Sequence, residues 1–349
     1  MSVAYKPVGW TRSKMLYDAV LIAAILSYLL LYFRFGANPP RLTQPPDAPT
    51  VAMRAFGTCA FLLLTAILCI GPAARLNRFF LPVLYNRRHF GVLTSVVATM
   101  HALAVLNWYY AFSKIPLLAA LFGADTSFGQ LSGFPFALFG IFALLVLWLM
   151  AATSHDFWLN FLTPPVWKAL HMLVYAAYAA MVAHVALGAM QDAASPVLAI
   201  MVCASVALVT ALHLLAASRV RAADRAAARL AADGWVLVPS PAAIDDGRGV
   251  VLPLPRGGTA AVFREGNRLT AIANACAHQN GPLGEGRIID GCITCPWHGY
   301  QYRPEDGCSP PPFTERVATY ALRFEAGEVW LNPAPNPLGT VTPPLEVAL

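Results

Sequence analysis

Apolar residues along this chain follow two patterns. From residue 16 to 218 they form long, nearly unbroken runs; from residue 234 onward they shrink to short blocks divided by Gly, Pro and polar residues. Runs at about 16–35, 54–74, 89–112, 134–152, 166–190 and 196–218 are each long enough to cross a hydrocarbon layer of about 30 Å as a helix. The first run lacks a small-residue cleavage site and ends in Tyr32-Phe33-Arg34, so it reads as a retained helix and not a secretion signal. Residues 36–53 are Pro-rich and read as an extended external segment. Residues 219–233, RVRAADRAAARLAAD, favour helix, with Gly234 as its stop. Beyond them WVLV, GVVLPL, AAVFRE, LTAIAN, CITC, ATYALRF and EVWLNP read as short strands, with a turn at Arg264-Glu265-Gly266-Asn267. The expected fold class is a multi-domain membrane protein, a six-helix transmembrane bundle followed by a small all-β domain. Its expected parts are the bundle at 1–218, a basic helical linker at 219–233, the β domain at 234–333 and a Pro-rich tail at 334–349.

Composition agrees with the two halves. Hydrophobic residues make up 58% of the 349 residues and charged ones 12%, far from an average soluble protein. The net charge of +6 does not call for nucleic acid, because many Arg residues flank the apolar runs, where topology explains them. Twelve Lys and Arg fall on one side of the expected bundle: Lys6, Arg12, Lys14, Arg75, Arg78, Arg87, Arg88, Lys168, Arg219, Arg221, Arg225 and Arg229. Four fall on the other: Arg34, Arg41, Arg54 and Lys114. Positive charge stays inside, so both ends, including the β domain, are expected in the cytoplasm with the helices in the inner (plasma) membrane. The 219–233 helix then lies near anionic headgroups.

The β domain carries two metal-ligand pairs. Cys276-Ala277-His278 is C-x-H, and Cys295-Pro296-Trp297-His298 is C-x-x-H. Two thiolates and two imidazoles are the ligand set of a Rieske [2Fe–2S] centre. Zinc is the competitor, but a Cys₂His₂ zinc site usually runs Cys-Cys then His-His, whereas the order here is Cys-His then Cys-His. The flanks, C-x-H-x-x-G-P-L-x-x-G and C-P-W-H-G-x-x-Y, resemble the Rieske ferredoxin family over about the last third of the chain. In quinol-oxidising Rieske proteins, extra cysteines in the two loops form a disulfide; the matching positions here are Gly281 and Trp297, so the resemblance carries no such bridge. Those relatives also use a Ser just after the second H-G and a Tyr two residues on; here Tyr300 and Tyr302 stand there. The Ser hydrogen bond to sulfur is missing, which implies a potential below the quinol-oxidising type. Cys59, Cys69 and Cys203 lie in apolar runs and read as core residues. A Cys292–Cys308 disulfide would need an oxidising compartment, which the expected orientation denies.

Six further His lie in or beside the apolar runs: His89, His101, His155, His171, His184 and His213. Ionisable residues in a span are functional suspects, and neutral His is a frequent haem ligand; the competing reading is a hydrogen-bonded packing or interfacial residue. Depth along the helices puts His101 and His184 level with each other, toward the outer leaflet, as a clamp for one haem. His171 lies near the inner leaflet as a ligand to a second, with His89 or His213 at suitable depth. His155, in TSHD at a helix end, reads as a surface turn. The segments NRRHFGVLTSVVATMHALAVLNWYY and MAATSHDFWLNFLTPPVWKALHMLVYAAYAAMVAHVALG resemble the ferric-reductase-like transmembrane family, over roughly 54–218. The resemblance places that family's haem ligands on His101, His171 and His184; a second third-span His would fall on Ile115. Family members often continue into a flavin and NAD(P)H domain, but no G-x-G-x-x-G follows a strand here.

Together these features imply a membrane electron-transfer protein with a [2Fe–2S] Rieske cluster and one or two b-type haems. The expected partners are a cytoplasmic reductase or ferredoxin-type donor, a periplasmic or quinone-type acceptor, and the lipid bilayer. Alternatives are a redox-sensing regulatory protein, or reverse flow from a quinol to a cytoplasmic acceptor. A Rieske oxygenase needs a further mononuclear iron site with two His and a carboxylate; residues after 333 offer only the Pro-rich segment.

Overall fold

The computed structural model describes residues 12–349 apart from 37–46, 81–82, 85, 113–115, 117–118, 120–133, 155–157, 159–161, 163, 193–195, 230, 233, 256, 279, 297–298 and 348–349. It forms two compact units, one ending at Ala216 and the other beginning at Ala217.

The first unit is helical. Its helices are α1 (Arg12–Leu31), which runs into a π-helical turn at Tyr32–Gly36, α2 (Ala48–Leu76), α3 (Arg87–Phe112), α4 (Ala137–Ala152), α5 (Pro164–His171) and α6 (Leu173–Leu187). The last helix, α7 (Pro196–Arg229), starts in this unit. Among the described residues, five stretches are long and apolar enough to cross a membrane: Lys14–Gly36, Ala48–Leu76, Arg87–Trp108, Val166–Gln191 and Pro196–Ala222. The fourth expected span is shorter: α4 has 16 residues, about 24 Å of helix. The second starts earlier than the apolar run suggests, because Asp47 caps α2 by accepting from Thr50 N at 2.9 Å. Most of the 36–53 loop lies outside the described residues.

α2 is the central helix. Ala55, Cys59 and Ala60 pack with Ile25 and Leu29 of α1 and Val97 of α3. On α2's other face Leu64 and Leu68 meet Leu147 of α4, Tyr178 of α6 and Val209 of α7. The outer faces expose Leu16, Val20 and Leu30 of α1, Phe142 and Leu145 of α4, and Ile200 and Leu208 of α7. Such continuous apolar surface is unfavourable in water and suits lipid.

In the second unit, the helix that 219–233 was expected to form ends with α7 at Arg229. Ala231–Ala232 (β1) instead pairs with Trp235–Val238 (β2) in a hairpin, and Gly234, at φ 81°, is its turn and not a helix stop. The remaining strands are β3 (Gly249–Pro253), β4 (Thr259–Glu265), β5 (Arg268–Ala273), β6 (Arg287–Ile289), β7 (Cys292–Thr294), β8 (Gln301–Tyr302), β9 (Leu322–Glu325), β10 (Glu328–Leu331) and β11 (Leu345–Glu346). They form antiparallel sheets ordered β1-β2-β10-β9, β11-β5-β4-β3 and β6-β7-β8. β4 is buried on both faces, and its alternation divides the unit. Ala260 and Val262 face one core with Leu269, Val329 and Leu331. Ala261 and Phe263 face a second core with Ile272, Leu283, Ile293, Tyr302, Cys276 and Cys295. The two candidate cluster cysteines thus belong to one of two cores on opposite faces of β4.

The 334–349 segment, expected as a tail, is built into this unit. β11 pairs with β5, and Val347 N donates to Asn267 O at 2.9 Å. Asn336 N donates to Thr319 O at 2.9 Å, while its amide reaches the hydroxyls of Thr319 and Thr342 at 3.1 and 2.9 Å.

Candidate redox centres

Both ligand loops have the same backbone construction. Cys276 N donates to Gly281 O at 2.9 Å, and Asn280 N donates back to Cys276 O at 2.7 Å. Cys295 N donates to Tyr300 O at 2.7 Å, and Gly299 N returns to Cys295 O at 3.0 Å. In each loop the fourth residue after the Cys has positive φ: Asn280 at 58° and Gly299 at 70°. This left-handed residue folds the chain back on itself, a conformation open to Gly and tolerated by Asn. The same pattern recurs at Arg303, whose N donates to Cys308 O and whose O accepts from Gly307 N, both at 2.9 Å. That third loop holds no Cys-His pair; it holds an ion pair of Arg303 with Asp306. The loop geometry therefore does not define a metal site by itself; the side chains placed on it do.

Cys276, Cys295 and His278 are 1%, 2% and 5% exposed. Trp297 and His298 lie outside the described residues. The seven Cys form no disulfide, so Cys276 and Cys295 are buried free thiols. Tyr302 OH is 3.3 Å from Cys276 Sγ. Burial, then the neighbouring Cys276, push the Tyr302 phenol above its usual range, so it keeps its proton and is placed to donate to the Cys276 sulfur. Among the described residues no three His, Cys, Asp or Glu side chains converge as on a single metal ion. Two thiols and an imidazole, each buried, with a hydroxyl 3.3 Å from one sulfur, are ligand types that fit a Rieske cluster. Cys292 and Cys308 are half-buried, and burial pushes the Cys292 thiol up.

In the helical unit His101 and His184 come together: their ring centroids are 6.2 Å apart and their planes 77° apart. Each ring is held in the same way. His101 Nδ1 lies 2.9 Å from Met53 O, and His184 Nδ1 lies 3.0 Å from Phe136 O. With Nδ1–H donating to a carbonyl, Nε2 carries the lone pair. Four residues beyond each carbonyl is a glycine. A Cβ on Gly57 would lie 2.9 Å from His101 Nδ1, and one on Gly140 would lie 2.8 Å from His184 Nδ1. Each imidazole therefore occupies the space a side chain would fill on the preceding helix. Two imidazoles on opposite sides of one metal, with bonds of about 2 Å, have ring centres about 6 Å apart. The pair fits a bis-His haem.

The other His differ. His171 Nδ1 lies 3.0 Å from Trp167 O of its own helix, and its ring stacks on Trp167 at 3.8 Å. The Arg88 guanidinium lies over the same indole at 5.2 Å. His171 Nε2 is buried without a hydrogen-bond partner among the described residues. His89 Nδ1 is 2.8 Å from Asp18 of α1, a partner that hydropathy gave no reason to single out. His213 has both nitrogens engaged, Nδ1 with Val209 O at 2.8 Å and Nε2 with Tyr175 OH at 3.1 Å. Both of its nitrogens thus have protein partners, unlike the Nε2 atoms of His101 and His184. His155 lies outside the described residues.

The fold and these centres define a membrane redox protein. Residues 56–182 match the ferric reductase like transmembrane component, and residues 234–321 match the Rieske [2Fe-2S] domain. The chain thus carries a ferric-reductase-like transmembrane domain in its helical unit and a Rieske [2Fe-2S] domain in its β unit. Over 73 residues it is 38% identical to the anthranilate 1,2-dioxygenase ferredoxin subunit of Burkholderia cepacia, covering 21% of this chain and 68% of that one. It is 29% identical over 90 residues to chlorophyllide a oxygenase of Arabidopsis thaliana, covering 24% of this chain and 17% of that one. Among solved structures, the ferredoxin of carbazole 1,9a-dioxygenase from Nocardioides aromaticivorans IC177 matches at 23% identity with a TM-score of 0.27, over 29% of this chain and 98% of that one. The Rieske domain supplies a [2Fe–2S] cluster and the membrane domain an electron-transfer role.

Proposed function

We propose that the chain carries electrons from a cytoplasmic donor at its Rieske domain, inward-facing by the positive charge of its loops, to an acceptor at the outer face of the inner membrane. The observation that carries this reading is the His101–His184 pair, preorganised in a chain that also contains a Rieske domain. A [2Fe–2S] cluster and a b-type haem, when bound, would supply one-electron carriers.

Cys276 and Cys295 would hold one iron of the cluster and His278 and His298 the other. His101 and His184 would hold the haem from α3 and α6, with Met53 O and Phe136 O fixing their tautomers. His171, its ring stacked on Trp167, is the candidate ligand of a second haem. His213 belongs to packing with Tyr175. The domains follow as a bundle at 1–218, a helical linker that ends at Arg229, and a Rieske domain from 234 that includes the C-terminal strand.

The test is spectroscopic. Dithionite-reduced membranes should show a b-type α-band that disappears in His101→Ala and His184→Ala. Rapid mixing with a low-potential ferredoxin should reduce the haem in wild type and not in His298→Ala. Membranes without haem would sink the proposal; haem reduced equally fast in His298→Ala would leave the Rieske domain as a sensor.

A further inference from the structure

The residue that replaces the usual Ser of the second ligand loop has its own partners. Tyr300 is 3% exposed and lies flat on His278, with ring centroids 4.9 Å apart and planes 12° apart. Its hydroxyl donates to Glu315 Oε2. Thr314 N donates to the same oxygen at 3.1 Å, and Ser309 N donates to Glu315 O at 2.9 Å, which closes the 309–315 loop at its base. The Phe313 ring packs on Tyr300 from that loop at 5.0 Å. Glu315 is half-buried, and no ion pair joins it to a cation among the described residues. Its charge therefore sits one phenol ring away from the imidazole of a cluster ligand.

We propose that Glu315, acting through Tyr300, is a positioning residue for His278 that lowers the potential of the cluster. Reduction adds one electron, and hence one negative charge, beside a carboxylate that no cation neutralises; in a partly buried setting that repulsion is felt over several ångströms. The phenol that donates to a carboxylate also turns a more electron-rich face to the imidazole. The pair opposes Tyr302, whose hydroxyl points at Cys276 sulfur and favours reduction. This inference rests on His278 being a cluster ligand.

The experiment is a redox titration of the purified full-length protein, followed by the electron paramagnetic resonance of the reduced cluster. Glu315→Gln should favour the reduced form about tenfold, an upward shift of about 59 mV for one electron, with the line shape unchanged. Glu315→Asp, which keeps the charge, should return most of the way to wild type. Tyr300→Phe keeps the stack but releases the carboxylate, and should shift the same way by less; this variant carries the test if Glu315→Gln fails to assemble. Wild type without a Rieske signal would overturn the ligand reading and this inference with it. A normal wild-type signal with an unshifted potential in Glu315→Gln and Tyr300→Phe would overturn this inference alone.

Discussion

Tyr302 and Asp306 show what single residues contribute beyond the ligands. The Tyr302 hydroxyl, 3.3 Å from Cys276 Sγ, stabilises the more negative, reduced cluster. Removing one hydrogen bond costs about 1 kcal/mol, which is about 40 mV for a one-electron couple. Tyr302→Phe should therefore lower the midpoint potential by that order without loss of cluster, as read by redox titration. Asp306 works through structure. Arg303 Nη2 and Nε meet its carboxylate at 2.5 and 3.2 Å, and Cys308 N donates to it at 2.8 Å. Burial alone would raise this carboxyl, but Arg303 and the Cys308 N–H outweigh it and hold it below its usual range. A carboxyl lowered on folding stabilises the fold above its unfolded value and loses that contribution as pH falls through the folded one. The stability that separates wild type from Asp306→Asn should thus be constant at neutral pH and vanish in acid, below the ordinary Asp range. Because Arg303 is well exposed, the effect should be modest; denaturant unfolding across pH checks it. Of these residues, the ligands and Tyr302 were legible because spacing and residue type carry their chemistry. Glu315 and Asp306 were not, because nothing local marks a carboxylate whose partner is brought to it by a turn.

At the scale of elements, the paired His101 and His184 are held by a device that hydropathy hides. The sequence spacing put His101 and His184 at one depth, but the supports are backbone carbonyls and two glycines on α2 and α4. Gly in a helix interior costs about 1 kcal/mol against Ala, so Gly→Ala there normally stabilises. At Gly57 and Gly140 the sign should invert for haem: the new methyl meets the imidazole at 2.9 and 2.8 Å. Gly57→Ala and Gly140→Ala should lower haem per protein in isolated membranes while helix content persists. Gly71→Ala on the same α2 is the control, since a Cβ there meets nothing within 4 Å, and its haem absorbance should equal wild type. The strands divided similarly. Those rich in β-branched and aromatic residues were legible, while β6, β8 and β11 are two or three residues long and exist only through their partners. The 334–349 segment was read as a tail because Pro and polar residues dominate it, yet Thr319, 1% exposed, depends on Asn336 and Thr342 from it. Ending the chain after Pro333 leaves that buried hydroxyl without these partners, at about 1–3 kcal/mol, and removes β11. The truncated protein should lose the visible absorbance of its cluster at a lower temperature than wild type.

For the whole molecule, the useful quantity is which side of the membrane each centre faces. By the positive-inside rule, twelve Lys and Arg against four predict that the N-terminus, the α2–α3 connection and the Rieske domain lie inside. The asymmetry is concentrated where the helices end: Arg75 closes α2, Arg87 and Arg88 open α3, and Arg219 and Arg221 lie on the last turns of the apolar part of α7. The shortness of α4 bears on this count, because a helix of 16 residues reaches about 24 Å, short of the hydrocarbon thickness of about 30 Å. If α4 did not cross, α6 and α7 would each reverse, α7 would end outside, and its Arg cluster would violate the charge rule. The charge pattern therefore predicts that α4 spans, with its turn at Thr153-Ser154 completing the path. The check is a set of fusions in intact cells. A reporter active only in the periplasm, placed after Asn332, should be silent, and one active only in the cytoplasm should be bright; single Cys substitutions in the α2–α3 connection should resist an impermeant thiol reagent. A bright periplasmic reporter after Asn332 would put the Rieske domain outside, reverse the proposed direction of electron flow, and expose Cys292 and Cys308 to an oxidising compartment.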